Sequence, residues 1–309
     1  MTHKERASIA LNGGIPDQVP TFELEYQLAA EVFGKPFLRQ KDLIGLSPKE
    51  KDRAIKENAE YMIKVFGALD YSIIPIHYLD EPEKIETAKH IHAVAGDEYM
   101  ITTHGDGTFY IPDGNTMLDF SYRLFDDPAG VCEEAEHQAV QAIEQNKRLM
   151  DGGFDSFILC SDYCFNNGPF LSPDQFRQFV QPYLARIIES IRQGGAFAIK
   201  HTDGNIMPIL DQLVECHPHA LHSIDPMAGV DIKVVKELVG DKVCLCGNVH
   251  CAALQTGTLE DVRKSAEYCL TWAKPGGGYI FCTSNIPFHG MPVERYSFIL
   301  DIWKRMRDY

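Results

Sequence analysis

Short apolar runs of strand length alternate along most of the chain with longer segments whose apolar residues recur at helical spacing. The strand-type runs are VPTFEL (19–24), DYSIIPIH (70–77), FDSFILCSD (154–162), GAFAIKHT (195–202), ALHSID (220–225), KVCLCGN (242–248) and GYIFCTS (278–284). Helix-type segments cover 48–69, 131–151, 172–193 and 258–273, and Ser172 and Thr258 stand as N-caps before two of them. Strands that are apolar throughout and separated by helices read as parallel strands covered by those helices. One segment breaks the rhythm. AVAGDEYMITTHGDGTFYIP (93–112) alternates and turns at Gly105-Asp106-Gly107, which predicts an inserted antiparallel hairpin. No repeat, low-complexity tract or Pro/Gly linker divides the chain. The expected fold is therefore α/β, a single (β/α)8 barrel of TIM type over residues 1–309 carrying that hairpin. A doubly wound open sheet is the alternative, but it has no GxGxxG or Walker motif to support it.

In a barrel the active site lies at the C-terminal ends of the strands, and chemically active side chains gather at those points of this chain. Glu23 and Glu25 end the first run; Asp162-Tyr163-Cys164 and Asn166-Asn167-Gly168 follow the third. His201-Thr202-Asp203-Gly204-Asn205, Asp225-Pro226-Met227, the stretch Cys246 to Cys251, and Cys282-Thr283-Ser284-Asn285 follow later ones. Strand parity puts Phe197, Ile199, His201 and Asp203 on one face. A histidine and an aspartate so placed can share a metal, or the carboxylate can orient the imidazole. A core histidine satisfied by a nearby carboxylate explains the pair equally well. Cys251 and Cys282 stand at strand ends where they could meet His201, and thiolates with an imidazole favour Zn²⁺. Each cysteine taken singly is also an ordinary buried residue. His217, His219 and His222 read as surface loop histidines beside Pro218.

Charge narrows the partners. The net charge is −15, from 44 acidic against 29 basic residues, which argues against nucleic acid. Apolar stretches fall short of the ~18 residues of a membrane span, so no membrane is expected. Nine cysteines behind a polar N-terminus suggest free thiols in a reducing, cytoplasmic setting.

Five stretches together resemble the uroporphyrinogen decarboxylase superfamily: PDQVPTFEL, LSPDQFRQFVQPYLARI, KHTDGNIMPIL, IDPMAGVDIKVVKELVGDKVCLCGNV and GGGYIFCTSNIPFHGMPVERY. The resemblance is densest over 154–296 and implies a (β/α)8 barrel with its cleft at the strand C-termini. The decarboxylases of that superfamily grip tetrapyrrole carboxylates with N-terminal arginines. PTFELEYQLAAEVFGKP has none and offers Glu23 and Glu25, which would repel such a substrate. The resemblance therefore points to the corrinoid-dependent methyltransferase branch. It implies Zn²⁺, a small methylated substrate, and cobalamin carried by a separate corrinoid protein, since no DxHxxG signature is present. Thiol-methylating members hold zinc by His-x-Cys and a late Cys; here Asp203 replaces the first thiolate. A carboxylate makes the metal a harder Lewis acid, suited to an ether oxygen. The expectation is zinc on His201, Asp203, Cys251 and Cys282, with Glu23, Asp162, Tyr163 and Asn166 as catalytic groups of an aryl methyl ether demethylase. Thiol methylation and a decarboxylase of a small acid are the alternatives.

Overall fold

The chain forms nine strands: β1 Ile73–Pro75, β2 Met100–His104, β3 Ser156–Cys160, β4 Cys164–Phe165, β5 Gly168–Pro169, β6 Phe197–His201, β7 Ala220–His222, β8 Cys244–Val249 and β9 Tyr279–Thr283. They are seen in a computed structural model that describes residues 1–309. Seven strands lie side by side in the order β1-β2-β3-β6-β7-β8-β9, every neighbouring pair parallel. The eighth position is taken by the extended segment 19–23. Thr21 bridges Phe281 in parallel, Phe281 N–H donates to the Pro20 carbonyl at 2.9 Å, and Ser72 N–H donates to the Thr21 carbonyl at 2.8 Å. These contacts join β9 to β1 and close the ring. Helices follow each position, among them Pro48–Ala68 after the closing segment, Pro128–Asp151 after β2 and Leu259–Trp272 after β8. The expected α/β barrel is present.

Register decides which side chains face inward. Cys160, His201, His222 and Cys246 are aligned across β3, β6, β7 and β8, with Ile158, Ile199, Ala220 and Cys244 one layer below. His222 meets Phe22 edge-on at 6.1 Å between centroids. These side chains come from strand positions separated by β8 and β9, so they meet across the interior. The opposite parity packs under the helices. Phe157, Leu159 and Lys200 lie there, and Lys200 sits over the Tyr163 ring, which in turn abuts Phe176 of the helix Pro173–Phe179.

Two elements differ from the sequence expectation. Segment 93–112 holds no antiparallel hairpin: it contains the end of the helix Glu81–Ala95, the parallel barrel strand β2, and a loop. Its glycines serve close approach rather than a turn. A Cβ on Gly105 would lie 2.6 Å from Asn146 Oδ1, and one on Gly107 would lie 2.6 Å from the Ala142 Cβ. The antiparallel pair is instead the short β4–β5 hairpin after β3. The helical run 172–193 also divides at Val180 (φ −125°), where Pro182 cannot continue the backbone ladder of the preceding turn.

Candidate active site

The polar groups at the barrel mouth are held by strand ends and by one another. Asp162 follows β3 and is half exposed; its Oδ1 accepts the backbone N–H of Asp203 at 2.9 Å. His201 ends β6 and is buried, with Nε2 3.6 Å from Asp162 Oδ1 and 3.9 Å from Asp203 Oδ1. Asp203 is fixed on both oxygens: Ser223 Oγ donates to Oδ1 at 2.6 Å, and Asn285 Nδ2 donates to Oδ2 at 2.5 Å. Ser223 (φ 86°) and Ile224 (φ 50°) both occupy the left-handed region, which non-glycine residues enter at a cost. Asn248 Nδ2 holds this turn by donating to the Ile224 carbonyl at 2.6 Å. The loop beyond Asp203 is equally constrained. Gly204 (φ +84°) approaches the β4–β5 hairpin so closely that a Cβ would lie 2.3 Å from the Cys164 carbonyl oxygen.

One donor atom each from Asp162, His201 and Asp203 lies within 4.8 Å of the others. Burial pushes the His201 imidazole down to about 4, so it is neutral near pH 7 and has a lone pair to offer. Burial first, then the nearby charges of Asp162 and Asp225, raise the Asp203 carboxyl to about 6 against the bonds from Ser223 and Asn285. Crowded carboxylates beside a neutral imidazole fit a divalent cation, which would relieve that repulsion; one nitrogen and two oxygens suit zinc and harder ions alike. On another arc of the mouth His77 and His104 stack at 3.9 Å between centroids.

The structure therefore assembles His201 and Asp203 of the expected metal set and adds Asp162, expected there as a catalytic group. Cys251 and Cys282 stand apart from this group. Cys282 is fully buried on β9, and burial pushes its thiol well up; Cys251 opens the helix Cys251–Thr256 with its sulfur 3.9 Å from the Ile286 carbonyl. Glu23 and Tyr163 lie behind the barrel wall, because their strand parity turns them toward the helices. Glu23 accepts bonds from Thr283 N–H, Thr283 Oγ1 and Tyr296 OH, and burial raises its carboxyl to about 8. Tyr163 OH pairs with Thr108 Oγ1 at 2.6 Å. Asn166 lies exposed between β4 and β5. His222, read as a surface histidine, is 1% exposed and 2.9 Å from His201, Nδ1 to Nδ1. Its period-2 relation to Ala220 in an apolar run was the available signal.

Residues 118–306 match the uroporphyrinogen decarboxylase (URO-D) family. The chain belongs to that family. Over 213 residues this family member is 25% identical to the methylcobamide:CoM methyltransferase MtaA of Methanosarcina barkeri, covering 65% of the chain and 59% of that relative. It thus spans less than two thirds of the relative's length. A methyltransferase from Methanosarcina mazei shares the fold across 99% of both chains, with TM-score 0.73 and 17% identity. GH5_18 from Streptomyces cattleya in complex with GlcNAc superposes more loosely, over 94% of this chain and 81% of that one, with TM-score 0.53 and 11% identity. No helix is long and apolar enough to cross a membrane.

Proposed function

We propose that this family member is a metal-dependent methyltransferase. It moves a methyl group between a small methylated donor, an aryl methyl ether in the first instance, and cobalamin carried by a separate corrinoid protein. The observation that carries the reading is the Asp162–His201–Asp203 cluster at the mouth of the barrel. The similarity to a methylcobamide methyltransferase supports the chemistry. A divalent ion such as zinc held by these three residues would supply Lewis acidity to the substrate heteroatom and ease departure of the demethylated oxyanion. Ser223 and Asn285 fix Asp203, and Asp162 both faces solvent and accepts the Asp203 N–H, so the carboxylates keep their spacing when substrate enters. The exposed Phe165, edge-on to Phe170 at 6.3 Å, offers an aromatic rim for a flat ring. An ether donor is favoured over a thiol acceptor because neither Cys251 nor Cys282 joins the triad. The rest of the barrel is read as one domain with it.

The test is an assay with chemically reduced cobalamin and a panel of methoxylated aromatics, methylamines and methyl thioethers, followed by the absorbance change from cob(I)alamin to methylcobalamin. Methylation from the ethers is expected, and Asp203→Asn is expected to lower the rate by ~100-fold or more. Transfer only from methylcobalamin to a thiol would establish the thiol branch instead. Carbon dioxide release from a small acid without methyl transfer would establish the decarboxylase alternative.

A further inference from the structure

The contact between His201 and His222 has a chemical consequence beyond packing. The two Nδ1 atoms are 2.9 Å apart, a hydrogen-bond distance, so one carries the proton and the other accepts it. Both rings are buried, and a neutral imidazole has one N–H to donate and one bare nitrogen to accept. Two arrangements follow. If His222 donates, His201 carries its own proton on Nε2, pointed at the carboxylates 3.6 and 3.9 Å away, and has no lone pair there. If His201 donates, Nε2 is bare and faces Asp162 and Asp203. The proton of His222 then sits on Nε2, an atom buried without any partner. Only the second arrangement leaves His201 able to ligate.

We propose that His222 is a positioning residue: its Nδ1 accepts the His201 Nδ1 proton and so keeps His201 Nε2 open toward the Asp162–Asp203 pair. This rests on the reading of the triad as a cation site. A metal-ligating histidine is commonly oriented by an acceptor for its other ring N–H, and loss of such an acceptor weakens metal binding by about 10–100-fold. Here the acceptor is another imidazole, supplied by the neighbouring strand β7 at the aligned position. His222 Nε2 has no partner whichever ring donates, and a buried polar atom without a partner destabilises the fold. A residue present only to fill space against Phe22 would need no acceptor at this point.

Variants that separate acceptance from shape make the test. In His222→Asn the side-chain oxygen can occupy the region of Nδ1, whereas His222→Leu offers similar bulk and no acceptor; His222→Met replaces the latter if it does not fold. Affinity for Zn²⁺ and Co²⁺ is measured by chelator competition, with the visible Co²⁺ spectrum and thermal unfolding recorded alongside. The expected result is about 10–100-fold weaker binding and an altered Co²⁺ spectrum for the apolar variant, with the Asn variant within about threefold of wild type. Equal affinity of the apolar variant and wild type overturns the inference, as does equal weakening by both variants. A wild type that binds neither ion overturns the triad reading and this inference together, which tells that failure apart from the others.

Discussion

A residue's strand parity decides its chemistry in this protein. His201 and His222 share the inward face and meet at the mouth, whereas Glu23 turns outward and is sealed under Tyr296 and Thr283. Sealed in this way, Glu23 keeps its proton up to about pH 8, while an unfolded chain releases it near 4.5. Between those values the folded state binds one more proton than the unfolded state, so this group's contribution to stability falls as pH rises, by at most ~1.4 kcal/mol per pH unit, and levels off above about 8. Glu23→Gln removes the titration. Urea unfolding between pH 4 and 9 is expected to show a variant that gains on wild type as pH rises through that window. Parallel curves would show that Glu23 does not hold a proton in the fold.

At the scale of elements, the loop after β2 does what the sequence pattern disguised. Gly105-Asp106-Gly107 reads as a turn, yet it delivers Asp106 to Lys200 on β6, Nζ to Oδ2 at 2.8 Å, with further Lys200 bonds to the Leu159 and Ser161 carbonyls. The Lys200 side chain is fully buried, and that of Asp106 is nearly so. Lys200→Met would strand a buried carboxylate, a loss of about 3–5 kcal/mol, and Asp106→Asn added to it should recover most of that because no charge remains. Denaturant unfolding of the single and double variants reads this directly; additive losses would contradict it. Seven of the eight barrel positions were legible as strand-type runs because buried parallel strands are apolar throughout. β2 was missed because MITTH carries two threonines and a histidine beside glycines, which mimics an exposed hairpin.

For the whole molecule, the barrel brings strand ends far apart in sequence to one mouth, and that convergence was the legible part of the site. His201 and Asp203 could be paired from their spacing; Asp162 and Asn285 could be placed at the mouth but not against Asp203, and Ser223 lay unmarked inside the run 220–225. Cys251 and Cys282 fall outside the Asp162–His201–Asp203 cluster, a placement that residue type and strand order in a sequence do not reveal. The most direct measurement is the metal content, by elemental analysis, of protein purified without chelator, for wild type, His201→Ala and the double variant Cys251→Ser/Cys282→Ser. About one divalent metal ion per wild-type chain is expected, lost with His201 and retained without the two thiols. A wild type that folds without metal, or metal lost only with the cysteines, would contradict a metal site at the triad.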